Sequence, residues 1–160
     1  MMCSARVLAI LLAALLGIGA SIPPAAASAG DVSDSASLKI SDAWVRWLPG
    51  DLPSAAYASL TNRGATRMRL TGASSPDYAS IMLHRSVVKD GVSRMEPVAG
   101  IDIDAGATVT LAPGGYHLML MEARHAIVPG DVIHLKLDFA DGATREVVLP
   151  VKPANATGAN

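Results

Sequence analysis

The sequence predicts an all-β fold, an antiparallel Greek-key sandwich or barrel, and three observations predict it. From Leu38 onward, short segments with period-2 alternation or β-branched content recur every eight to twelve residues. They are separated by Pro, Gly, Asn and Asp, the residues that turn a chain. Outside the N-terminal apolar run, no window of ten or more residues carries a helical stripe, although Ser75 to Ser80 or Arg124 to Val128 has room for a single turn. Such spacing and punctuation belong to antiparallel sandwiches and barrels.

The N-terminus is set apart from this pattern. Arg6 precedes an apolar run from Val7 to Ala20, followed by an Ala-rich stretch with two prolines. The run falls short of the ~20 residues that span a bilayer, and Ala25-Ala26-Ala27 or Ala27-Ser28-Ala29 offers small-x-small cleavage chemistry. Residues 1–29 therefore read as a secretory signal, with no membrane span after its removal. Residues 30–37, polar and aperiodic, read as a flexible lead-in.

The strands follow in order. Leu38 to Trp47 is closed by Pro49-Gly50-Asp51-Leu52-Pro53, Ala55 to Thr61 by Asn62-Arg63-Gly64, and Arg67 to Ala73 places Met68, Leu70 and Gly72 on one face. Ala79 to Val88 and Val92 to Val98 form a hairpin over Lys89-Asp90-Gly91, because Asp-Gly supplies the positive φ angles of a two-residue turn. Ile101 to Asp104 and Thr108 to Leu111 are short strands around Ala105-Gly106. Ala112-Pro113-Gly114-Gly115 turns the chain into Tyr116 to Glu122, and Pro129-Gly130-Asp131 into Val132 to Phe139. Asp141-Gly142 makes a second tight hairpin into Thr144 to Val151. The domain is thus expected over residues 38–151, with a polar, flexible tail over 152–160. Asn155-Ala156-Thr157 in that tail matches a glycosylation sequon, a three-residue pattern that arises often by chance.

Composition removes several function classes. The single cysteine, Cys3, precedes the apolar run, so it is expected to leave with the signal and not to serve as a lipid-attachment cysteine after it. A cysteine-free exported chain has no disulfide framework, no thiolate nucleophile and no cysteine for a blue-copper site. Loss of Arg6 leaves twelve Lys and Arg against fourteen Asp and Glu, a net charge of −2, so no basic patch argues for nucleic acid. Ser and His are present without a nucleophile-elbow or related pattern, which argues against an enzyme.

What stands out is a set of two imidazoles and two thioethers: His84, Met95, His117 and Met119. If Asp90-Gly91 is the turn, Lys89 pairs with Val92, Ser86 with Met95 and His84 with Pro97, which puts His84 and Met95 diagonally on one face, about 7 Å apart at the backbone. His117 and Met119, at i and i+2, share a face of a later strand. Two imidazoles and two neutral, soft thioethers suit Cu(I), give almost nothing to Mg²⁺ or Ca²⁺, and comparatively little to Zn²⁺. The expected cargo is one Cu(I) per chain. Met82 and Met121 share faces with the site residues, Met68 reads as core, and His125 and His134 lie outside the pattern. Trp44, Trp47 and Tyr57 read as core or rim packing, and Arg85 and Arg94 as solvated strand residues that, beside the site, would meet an acidic partner.

The spacing carries a resemblance as well. His84, ten residues, Met95, twenty-one residues, then His117-Leu118-Met119 resembles the metal-binding pattern of periplasmic PCuAC-type copper chaperones. The likeness extends over Leu38 to Val151, through Ala43-Trp44-Val45-Arg46, the Tyr57 strand ending at Asn62, and Pro113-Gly114-Gly115-Tyr116-His117-Leu118-Met119-Leu120. It implies a cupredoxin-like Greek-key fold without the usual copper cysteine. It also implies a periplasmic, non-enzymatic role, passing Cu(I) towards cytochrome c oxidase assembly through an oxidase subunit or its assembly factor. The family often carries a Met- and His-rich C-terminal tail; the tail after Val151 has neither residue. Competing readings are a periplasmic copper buffering or resistance protein, and a non-metal interaction domain of immunoglobulin type, which the fold alone would allow. A monomer is expected.

Overall fold

The computed structural model describes residues 37–50 and 52–159, and the expected signal and most of the lead-in lie outside them. Ten strands run in the order β1 (Leu38–Arg46), β2 (Ser54–Asn62), β3 (Met68–Ser74), β4 (Tyr78–Lys89), β5 (Val92–Pro97), β6 (Ile101–Ile103), β7 (Thr108–Leu111), β8 (Tyr116–Ala123), β9 (Val132–Phe139) and β10 (Thr144–Lys152). Among the described residues there is no helix: Pro76-Asp77 and Arg124-His125 are bends, Tyr78 to Ser80 already belong to β4, and neither stretch makes a helical turn.

The strands hydrogen-bond in the order β5-β4-β8-β7-β2-β1-β10-β9-β3-β6. The first six and the last four form two halves, whose strands pair with each other among the described residues only through a short parallel pairing of β1 with β10 at Val45↔Val151 and Arg46↔Lys152. Leu83 of β4, Ala56 and Leu60 of β2, and Leu118 and Leu120 of β8 share one buried cluster with Leu70 of β3, Ile133, Leu135 and Leu137 of β9, and Leu149 of β10. The two halves therefore pack face to face over a single core, an all-β cupredoxin-like Greek-key sandwich. Period-2 alternation explains which residues enter it. On β8, Leu118 and Leu120 point into the core while His117 and Met119 project from the other face.

Two turns fix the register around the site. Asp90 and Gly91 both hold positive φ, 54° and 76°, as a type I′ turn demands, and β4 pairs β5 with Lys89↔Val92, Ser86↔Met95 and His84↔Pro97, the register that turn predicts. At Asp141-Gly142 the link is a residue longer than a two-residue hairpin. Gly142 (φ 82°) closes a turn on the Phe139 carbonyl at 3.0 Å, and Phe139 N–H bonds the Ala143 carbonyl at 2.9 Å, a three-residue loop ending in a glycine bulge.

At the pole opposite to Arg46, Asn62 is fully buried. Its Nδ2 donates to the carbonyls of Thr66 (2.7 Å) and Ile103 (3.0 Å), and its Oδ1 accepts from Gly64 N–H (2.9 Å). The asparagine that the sequence marks as a strand terminator thus tethers three chain segments.

Candidate metal centre

The site is built on the outer face of the first half, where β4 and β8 pair antiparallel with His84↔His117 and Met82↔Met119 in register. Sequence spacing gives each residue its face but not its neighbouring strand. The pairing supplies this, setting the two imidazoles directly opposite each other with ring centroids 5.8 Å apart. Pairing continues outward, with Ala55 of β2 opposite Met119, and Arg46 and Trp44 of β1 opposite Ala55 and Tyr57. Two rows of side chains therefore cross the sheet on one face: Trp44, Tyr57, His117 and His84 in one, and Arg46, Ala55, Met119 and Met82 in the other.

The Pro113-Gly114 turn sets His117. Gly114 (φ 82°) allows Gly115 N–H to reach the Ala112 carbonyl at 2.9 Å, and this aims the Gly115 carbonyl back at the site. That carbonyl accepts from Ser86 N–H at 3.0 Å and lies 3.1 Å from His117 Nδ1. A carbonyl only accepts, so in the neutral ring Nδ1 carries the proton and the lone pair falls to Nε2. This is the arrangement that orients a metal-ligating histidine. His117 is 3% exposed, and its Nε2 is buried with no partner among the described residues.

His84 is in the same condition, with both ring nitrogens shielded from water and unpartnered. Burial pushes its pKa below the ordinary imidazole value, and the facing His117 lowers it further. A neutral imidazole, the form that binds metal, is thus favoured. Buried polar atoms left unpaired cost about 1–3 kcal/mol each and are rare in native structures. Three on two adjacent rings, with a lone pair available on each ring, fit an electrophile such as a metal ion.

The thioethers complete the set. Met95, Met119 and His117 line one cavity of about 180 Å³, walled also by Arg46, Tyr57, Ser54, Pro53 and, from the tail, Ala154. Met119 is half-buried, whereas Met95, on the edge strand β5, is 59% exposed. Among the described residues no cluster of three or more His, Cys, Asp or Glu could hold an ion, so a metal here depends on methionine sulfur. This donor set fits a soft monovalent ion and not a hard dication.

The comparisons with known proteins meet this geometry here. The description of putative lipoproteins of the LpqE-like type fits residues 38–151, the whole strand-bearing segment. The chain belongs to this LpqE-like family. It is similar to a putative lipoprotein, Lxx21020, of Leifsonia xyli subsp. xyli, at 36% identity over 98% of this chain and 92% of that one. Among solved structures it resembles the copper(I) form of DR1885 from Deinococcus radiodurans, at 32% identity and a TM-score of 0.60 over 74% of this chain and 78% of that one. It also resembles the apo PCuAC domain of PmoF2, at 24% identity and a TM-score of 0.62 over 76% of this chain and 94% of that domain. The fold of this LpqE-like chain is thus that of PCuAC domains.

Of the remaining sequence candidates, Met82 stays on the site face and the two further histidines fall elsewhere. Met68 packs against the core, and His125 sits in an exposed pair with Asp77, Nε2 to Oδ1 3.0 Å. His134 is exposed and gives its backbone N–H to Asp77 at 3.1 Å. Met82 stands opposite Met119 and is 42% exposed. The Arg85 guanidinium lies 5.9 Å from the Tyr116 ring centroid, and Arg94 is exposed on β5.

Sequence reasoning missed two neighbours of the site. Trp44 and Tyr57 are buried as packing residues should be, yet Tyr57 stands 6.5 Å from the His117 ring, and both rings carry the Arg46 guanidinium. The tail, expected to be loose, enters β10 at Lys152, turns at Pro153–Ala156 and gives its Ala156 carbonyl to Arg46 Nη2 at 3.1 Å. A backbone acceptor leaves no trace in composition.

Proposed function

We propose that this chain is an extracytoplasmic copper chaperone that binds one Cu(I) through His84, Met95, His117 and Met119. It works in the periplasm or its equivalent and passes the ion to a copper-accepting protein of cytochrome oxidase assembly, without catalysing a reaction. The observation that carries the reading is the directly paired His84 and His117, whose buried ring nitrogens lack partners, with His117 lining one cavity beside the thioethers of Met95 and Met119. Support comes from the copper(I) form of DR1885 and the copper-bound PmoF2 domain, which share the fold.

His117, fixed by Gly115, and His84, on the adjoining strand, supply preset nitrogens, so few side chains must be ordered when the ion arrives. Met119 lies inward and Met95 outward on an edge strand. An acceptor can therefore displace the exposed thioether first while the buried imidazoles still hold copper, so the ion is never free in solution. Two neutral sulfurs and no carboxylate give weak Cu(II) binding. Thioethers also cannot close into a disulfide in an oxidising compartment, though they oxidise to sulfoxide.

The test is transfer. The protein, loaded with one Cu(I), is mixed with a soluble oxidase copper domain, and copper in each is measured after separation. Movement of the ion to that domain is expected. Retention of copper against an excess of apo acceptor would contradict delivery and leave buffering as the function.

A further inference from the structure

Arg46 lies on the same face as the proposed ligands, one strand beyond Ala55. Register places Arg46, Ala55 and Met119 in one row across β1, β2 and β8, so two strand spacings, about 10 Å, separate the backbones of Arg46 and Met119. Ala55 is too short to fill the gap. The cavity that holds Met95, His117 and Met119 therefore extends to Arg46.

The guanidinium is held there from several sides. Its carbon stands 5.4 Å from the ring centroids of both Trp44 and Tyr57, and Nη2 donates to the Ala156 carbonyl. Its Nε is buried without a partner, and among the described residues no carboxylate pairs with it. A fixed, unneutralised positive charge thus borders the metal cavity.

We propose that Arg46 determines the oxidation-state preference of the copper site, its charge on the cavity wall repelling Cu(II) more than Cu(I). This rests on the copper reading above. The two ions differ by one unit of charge, and a guanidinium cannot lose its own. A unit charge acting over about 10 Å at the effective dielectric of a near-surface site changes such an equilibrium roughly tenfold. The charge strengthens the preference that the sulfurs begin. Stacking on Trp44 and Tyr57 keeps the cation in place while the ion comes and goes, and the bond to Ala156 gives the C-terminal tail a role as its clamp.

The test compares the full chain with Arg46→Gln, Arg46→Met and Arg46→Lys. Gln can still donate to the Ala156 carbonyl, and Met keeps an apolar stem against the rings, so one neutral variant survives if the other fails to fold. Cu(I) and Cu(II) affinities are measured by competition, and the midpoint of the one-electron couple is measured against a mediator. The neutral variants are expected to lose about tenfold of the Cu(I)-over-Cu(II) preference, a fall in midpoint of about 59 mV. Lys, which keeps the charge, should hold the wild-type midpoint. A folded neutral variant with the wild-type midpoint would overturn the proposal, as would a Lys variant shifted as far as Gln. Wild-type protein that takes up neither ion stoichiometrically would instead sink the copper reading itself.

Discussion

Asn62 and the His84–His117 pair are both polar, both shielded from water and both on the first half of the sandwich, but only Asn62 is satisfied by the chain. Its amide uses both ends, tying Gly64, Thr66 and Ile103 together. The two histidines bury three ring nitrogens with nothing to bond. A buried amide with every partner in place stabilises the fold. A buried imidazole pair held open works against the fold and stays available to a ligand.

The largest effect on stability should come from breaking the satisfied member. Asn62→Ala strands the Thr66 and Ile103 carbonyls and is expected to cost about 2–4 kcal/mol in urea unfolding of the apo protein. Cu(I) affinity of the remaining folded protein should not change. The contrasting substitution, His117→Leu, removes an unpartnered nitrogen and adds apolar volume, while Gly115 keeps its bond from Ser86. Apo stability should stay within about 1 kcal/mol of wild type or rise. A loss as large as that of Asn62→Ala would place His117 among the structural polar residues.

Acid sharpens the comparison. Burial and the neighbouring His117 lower the folded pKa of His84, so the unfolded chain takes up that proton first as pH falls. The contribution of His84 to apo stability is therefore full above the ordinary imidazole value of 6.5 and is lost as pH drops towards its lowered folded pKa. His125 behaves oppositely. Its hydrogen bond to Asp77 raises its pKa, so its contribution is full below 6.5 and is lost as pH rises through the folded value. Unfolding measured between pH 5 and 8 should show the acid-side loss reduced in His84→Leu and not in His125→Asn. An unchanged acid limb in His84→Leu would contradict the burial argument.

The smallest effect belongs to the exposed pair Arg67–Asp104, Nε to Oδ1 2.6 Å, more than half exposed on both sides. Asp104→Asn should alter unfolding by less than about 1 kcal/mol and leave copper binding untouched.

How much of this was legible in the sequence depends on range. The Asp90-Gly91 turn and the β4–β5 register were readable because four consecutive residues dictate them. So was the shared face of His117 and Met119, since alternation is local. The pairing of β4 with β8 was not, because period-2 spacing says which way a side chain points but not which distant strand lies beside it. The Pro-Gly-Gly stretch was readable as a turn, yet its use of the Gly115 carbonyl to set His117 emerges only when Ser86 and His117 are seen to converge on it. Arg46 stood only within the Ala43-Trp44-Val45-Arg46 stretch of the resemblance and carried no role there, since a lone arginine in a strand is usually solvated. Its position depends on Ala55 being small and on the tail supplying the Ala156 carbonyl.

The most direct measurement of the central claim is a Cu(I) competition titration of the protein beside His84→Ala, His117→Ala, Met95→Leu and Met119→Leu. One Cu(I) per wild-type chain is expected. Each substitution should weaken binding by at least about tenfold, the lower end of what even outer-sphere partners cost a metal site. Unchanged affinity across all four variants, or no stoichiometric Cu(I) uptake by the wild type, would contradict the assignment.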